Sequence, residues 1–146
     1  MDAENVERYT KNIPHFGGIF DIKQLQNVKI ISYPVTLILH DHGHWLGIFM
    51  SKHRVEIMDS LGYLNKSRIN KYLLKLLQVH IYNKKFFISP TLQSKQSSSC
   101  ALYAISFLYY RTNTHQSICQ FCKIFTNDRN LNCVIIYRIF NIFTSK

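Results

Sequence analysis

Four side chains could perform chemistry together if the fold gathers them: His44, Asp59, Gln93 and Cys100. Cys100 closes a polar, serine-rich stretch, Leu92-Gln93-Ser94-Lys95-Gln96-Ser97-Ser98-Ser99, and opens the most apolar helix candidate of the chain, Ala101 to Tyr110. A cysteine at a helix N-terminus meets unpaired backbone N–H groups and the positive end of the helix dipole, which favour a thiolate and lower the thiol pKa. A thiolate nucleophile needs a base, an acceptor that holds the base in one tautomer, and donors for the oxyanion that forms. His44 and Asp59 are the right types for the first two tasks. The Gln93 side chain and the Cys100 N–H are suited to the third. Each residue also has an ordinary reading: a free cysteine packs as a small apolar core residue, and a His before Trp can be structural. An Asp before Ser-Leu-Gly forms turns, and a Gln in a serine-rich loop faces water. Their coincidence and order carry the argument. Gln96 competes with Gln93 as oxyanion donor, but its closer spacing to Cys100 leaves little loop in which to aim back at the sulfur.

These residues must be held by recognisable elements. Asp2 to Asn12 reads as a short helix, with Asp2 as its N-cap and Pro14 beyond its end. His15 to Asp21 reads as a loop around Gly17-Gly18. Two β-branched runs, Val28 to Tyr33 and Val35 to His40, predict strands on either side of Pro34. His44 to Ser51 and His53 to Met58 predict a hairpin, with His44 at the start of one strand and Asp59 just past the end of the next. An amphipathic helix is expected over Lys66 to Tyr82 and a strand over Lys84 to Ser89. Two more helices are expected over Gln116 to Thr126 and Arg129 to Thr144, although Val134-Ile135-Ile136-Tyr137 could equally form a strand. Together these give an α+β fold over residues 1–146 as one domain: a central mixed sheet of about five strands, helices on its faces, and the Cys100 helix buried in the middle.

The 146 residues carry 47% hydrophobic and 18% charged side chains, which describes a folded chain rather than a disordered one. The net charge of +10 attracts polyanions, nucleic acid first, and the scatter of basic residues suggests non-specific affinity for DNA rather than sequence reading. Asp2, Glu4 and Glu7 near the start are unlike a secretory signal, and Arg138 and Asn141 interrupt the longest apolar run. A soluble, intracellular protein with reduced thiols and no membrane partner is expected, working as a monomer.

The order His44-Trp45, then Asp59-Ser60-Leu61-Gly62, then Gln93 and Ser97 ahead of Cys100 resembles the adenovirus-type cysteine proteases (adenain), in the clan that includes the ubiquitin-like-protein (SUMO) proteases. Phe16-Gly17-Gly18-Ile19-Phe20-Asp21 is similar to that family's N-terminal Gly-x-x-Asp loop. The resemblance implies a cysteine endopeptidase with Cys100 as nucleophile, His44 as general base, Asp59 as orienting acid and Gln93 as oxyanion donor. Trp45 would wall a narrow cleft that favours glycine near the scissile bond. It further implies virion precursors as substrates, action in the host nucleus and the virion, no required cofactor, and activation by DNA or a viral peptide. The chain departs from the family in having Ala101 where Gly usually follows the nucleophile and Asp where adenovirus enzymes have Glu. No cysteine precedes Cys100, so the family's disulfide to its activator peptide cannot form in the same way.

Competing readings are a Cys₃His zinc module from His115, Cys119, Cys122 and Cys133, a catalytically idle DNA-binding protein that keeps the protease fold, and a deconjugase of ubiquitin-like modifiers. The apolar surroundings of Cys119 and Cys122 favour inert thiols over zinc.

Overall fold

The strand that carries His44 is apolar at nearly every position, and both of its faces are covered. In the computed structural model, which describes residues 1–64, 73, 75, 76, 78 and 83–145, this strand is β3 (His44–Met50), with all its residues buried. It is the middle of a five-stranded mixed sheet. β2 (Val35–Asp41) runs antiparallel to it on one side and β4 (Arg54–Met58) antiparallel on the other. The outer strands, β1 (Phe16–Asp21) beside β2 and β5 (Lys85–Ile88) beside β4, are both parallel to their neighbours. The β2–β3 turn is tight because His42 and Gly43 both take positive φ, 49° and 81°, the geometry that matches strand twist in a two-residue hairpin.

Alternation along the strands separates two cores. Leu37, Leu39, Leu46, Ile48, Val55 and Ile57 face one, together with Ile22 and Leu25 of a 3₁₀ helix (Ile22–Asn27). Ile38, Trp45, Phe49 and Met58 face the other, which is built on α2 (Cys100–Thr114). The first ten residues of α2, Cys100 to Tyr109, are all buried, so the helix is apolar on every side because it is enclosed on every side. Each large apolar side chain so enclosed contributes about 1.5–3 kcal/mol. α2 lies directly on β3 at Gly47: a Cβ there would stand 2.9 Å from the Ala104 carbonyl oxygen. Outside α2 are α1 (Ala3–Thr10), α3 (Ile118–Cys122) and α4 (Arg129–Thr144). The buried Glu56 carboxylate ties these layers together, accepting from Arg54 and Arg111 at 2.9 Å each and from the Ile118 N–H at 3.1 Å.

The α+β architecture is as expected, and three local expectations are corrected. Phe16 to Asp21 is a strand rather than a loop. Gly17 lets it lie close on β2, since a Cβ there would meet Leu37 and Val35 side chains at 2.8 Å. Val28 to Tyr33 is not a strand: β1 holds the edge of β2, and the β-branched run, with Ile31 fully in solvent, has no strand partner. The helix expected over 116–126 is confined to Ile118–Cys122, because Asn132 bonds both the N–H and the carbonyl of Thr126 and turns the chain there. The amphipathic helix expected over 66–82 falls almost wholly outside the described residues; Leu73 and Leu76 within it are buried. Among the described residues no helix is long and apolar enough to cross a membrane.

Candidate active site

The ends of β3 and β4 place His44 and Asp59 together. His44 Nε2 lies 2.7 Å from Asp59 Oδ1, and the two side chains are 8% and 0% exposed. Asp59 is fixed at its side chain and at its main chain: Oδ2 accepts from the Leu64 N–H at 2.7 Å, and the Asp59 main-chain N–H donates to Ser89 Oγ at 2.8 Å. Because Nε2 is committed to Asp59, Nδ1 is the nitrogen left for the thiol. Nδ1 is buried without a conventional hydrogen-bond partner among the described residues, and Cys100 is the side chain besides Asp59 that raises the ring's pKa.

Cys100 is the first residue of α2 and follows Ser99 at the N-cap. Its sulfur is 3.9 Å from the Gly43 carbonyl oxygen, so the β2–β3 turn reaches over the thiol. Burial opposes ionisation of the thiol, but the His44 side chain and the main-chain N–H groups of Trp45 and Ala101 outweigh it and hold the pKa below the ordinary value. For His44, burial favours the neutral ring, yet the hydrogen bond to Asp59 and the interaction with Cys100 prevail, raising its pKa from 6.5 to about 9. The two shifts have opposite signs and a common cause, an imidazolium beside a thiolate, which is the reactive form of a cysteine nucleophile.

Gln93 is 1% exposed, whereas the rival Gln96 is exposed. The Gln93 Oε1 accepts from Ser60 Oγ at 2.6 Å, and its Nε2 donates to the Ser97 carbonyl at 2.6 Å. A carbonyl oxygen can only accept, so this contact fixes which end of the amide is which. One Nε2 hydrogen is thereby used, leaving a second for another acceptor. The Ser60 carbonyl also accepts from the Leu92 and Gln93 N–H groups at 2.9 and 3.0 Å, and Asn132 Nδ2 holds the Leu92 carbonyl at 3.0 Å. The serine-rich loop is thus knitted to the turn after Asp59 and braced by α4. Its own Ser97 and Ser99 hydroxyls bond each other at 2.6 Å.

Trp45 points to the α2 face, 4% exposed, with its ring tilted on His40 at 4.3 Å between centroids. Tyr63 stands edge-on to the His44 ring at 5.0 Å and is 36% exposed. Neither Tyr63 nor the anchoring residues Ser60, Ser89 and Asn132 can be picked out from local pattern, since their partners lie 19 to 40 positions away. Among the described residues no group of three His, Cys, Asp or Glu side chains is arranged to hold a metal. Burial, with smaller contributions from Cys119 and Glu56, pushes the Cys122 thiol up to about 12, which suits an inert cysteine.

Among solved structures, the central domain of an uncharacterized protein from Legionella pneumophila matches all of this chain with 98% of its own, at a TM-score of 0.56 and 11% identity. That likeness speaks to the fold alone. No curated protein matches in sequence. The family model for the C-terminal catalytic domain of the Ulp1 protease family matches residues 3–129, a span that includes β1 to β5, α2 and the whole His44–Asp59–Gln93–Cys100 group. The chain belongs to the Ulp1 protease family and is a cysteine protease.

Proposed function

We propose that Cys100 is the nucleophile of this protease, His44 its general base and acid, Asp59 the group that orients His44, and Gln93 an oxyanion donor. The observation that carries this reading is the buried 2.7 Å contact of His44 with Asp59 beside a thiol at a helix N-terminus. The Cys100 thiolate attacks the scissile carbonyl, and the Gln93 amide and the Cys100 N–H donate to the oxyanion. The imidazolium gives its proton to the leaving amine, expelling it and leaving a thioester. Water, deprotonated by His44, then releases the acyl half and restores the thiol.

The substrates in this reading are virion precursors cut after glycine, with Trp45 beside a cleft too narrow for larger side chains. The source is a DNA virus or virus-like mobile element, and the sites of action are the host nucleus and the virion. The adenain-type order of residues supports it, and the charge of +10 is compatible with non-specific binding to DNA and activation by it. A second reading, removal of ubiquitin-like modifiers, is favoured by the family match over residues 3–129. The test offers the protein two substrates: a virion-type peptide with a Gly-x-Gly acyl half, and a ubiquitin-like modifier fused through its terminal Gly-Gly. Hydrolysis of the first with little of the second supports precursor maturation, and the reverse supports deconjugation. Hydrolysis of neither, with or without added duplex DNA, contradicts both.

A further inference from the structure

A cavity of about 310 Å³ opens against His44 and Asp59 and reaches Gly43, whose carbonyl oxygen is 3.9 Å from the Cys100 sulfur. Its walls include Ile22, Leu46, Leu61, Tyr63 and Leu64, with His42 of the β2–β3 turn at the rim; neither Cys100 nor Gln93 lines it. The volume is that of a small ligand site. Ile22 and Leu46 are buried at 2% and 3%, Leu64 at 8%, and Tyr63 forms a half-open outer wall. The lining holds two acid–imidazole pairs, Asp41 with His42 at 2.6 Å and Asp59 with His44 at 2.7 Å, so neither sign of charge dominates there.

The chemistry gives this cavity a side. In the attack on a peptide bond, the acyl carbon is bonded to Cys100 Sγ and its oxygen turns toward Gln93 and the start of α2. The leaving nitrogen must reach His44 to be protonated. The chain on the far side of that nitrogen therefore runs past the ring and the His42-Gly43 turn, into the space that the cavity occupies. One residue of extended chain spans about 3.3–3.6 Å, so the first or second side chain after the scissile bond falls at the opening.

From this we infer that the cavity is the subsite for the leaving-group half of the substrate, and that it selects an apolar side chain of leucine, methionine or phenylalanine size there. The inference rests on the reading of Cys100 and His44 as the reacting pair and adds a specificity that the reading lacks. Ile22, Leu46, Leu61 and Leu64 govern what lies after the cut. An apolar side chain there is removed from water, whereas Asp or Lys finds no unpaired partner at the rim and loses hydration.

The test uses the full chain and two peptide series, built on the Gly-x-Gly and Gly-Gly acyl halves named above, that differ only in the first two residues after the cut: Gly, Ala, Leu, Phe, Asp or Lys. Expected is a kcat/KM for Leu or Phe at either position roughly 10- to 100-fold above Gly, Asp and Lys. In Leu61→Lys, that advantage shrinks and Asp gains. Cleavage at rates within about threefold across the series overturns the inference while leaving the triad reading intact. Failure to cleave any peptide, with Cys100 unreactive toward iodoacetamide, removes the triad reading and the inference together. The wild-type series decides the matter even if Leu61→Lys does not fold.

Discussion

Removing the Ser60 hydroxyl tests whether Gln93 acts as a held donor or is simply a buried amide. Ser60 Oγ donates to Gln93 Oε1 at 2.6 Å, and each residue is 1% exposed. In Ser60→Ala that oxygen loses its partner where water cannot replace it, at a cost of about 1–3 kcal/mol. The amide can recover only by turning, which withdraws Nε2 from the Ser97 carbonyl and from the oxyanion position. If the loss falls on the transition state, kcat drops by roughly 5- to 150-fold. The ceiling is the loss in Gln93→Ala, about 10²–10³ for an oxyanion donor. KM should change little, because the ground-state carbonyl makes the weaker contact. The assay is peptide hydrolysis by the wild type, Ser60→Ala, Gln93→Ala and the double variant, with iodoacetamide alkylation of Cys100 in parallel. Alkylation forms no oxyanion and should be unaffected by Ser60→Ala. Ser60→Thr, which keeps the hydroxyl, should recover most of the rate. The reasoning is refuted if Ser60→Ala costs as much in the Gln93→Ala background as in the wild type, or if it slows alkylation as much as hydrolysis.

Three further expectations concern the ion pair and its supports. His44 titrates at about 9 in the folded chain against 6.5 ordinarily, so its contribution to stability is complete below 6.5 and disappears as pH rises through 9. If the proposed role of His44 holds, peptide hydrolysis draws on the imidazolium and should fall on the same limb; a kcat profile declining near 6.5 instead would contradict the pairing. Gly47→Ala drives a methyl group to 2.9 Å from the Ala104 carbonyl; since helix backbone cannot yield as a side-chain tip does, urea unfolding should register a loss of about 1–3 kcal/mol. Glu56→Gln leaves Arg111, whose side chain is 12% exposed, without its counter-charge; a loss near 3 kcal/mol in the same measurement is expected, at the low end for a broken buried pair because Arg54 can reach water.

The parts of the fold legible in the sequence are those whose neighbours are also local. His44 to Met50 and Arg54 to Met58 announce themselves as apolar runs about one turn apart, and α2 as an apolar stretch after a polar loop. β1 was hidden because Gly17-Gly18 looks like a loop, although Gly17 is there for close approach to Val35 and Leu37. Val28 to Tyr33 is the converse case: β-branching favours extended backbone but names no partner, and β1 occupies the edge of β2. At the site, the chemistry of His44, Asp59, Gln93 and Cys100 could be argued from type and order. The supports could not be, because Ser60 to Gln93, Asp59 to Ser89 and Asn132 to Leu92 are contacts of tertiary register. The +10 charge is plain in composition, but composition does not tell where on the surface it acts.

The most direct test of the central claim is the site-resolved alkylation rate of the four thiols near pH 7, read by mass spectrometry in the wild type and in His44→Ala. Cys119 is exposed and Cys100 buried, so access alone predicts that Cys119 reacts first. Ionisation predicts the opposite: Cys100 modified at least about tenfold faster than Cys119, Cys122 or Cys133, with that lead lost in His44→Ala. Preferential labelling of Cys119, unchanged by His44→Ala, would contradict the account.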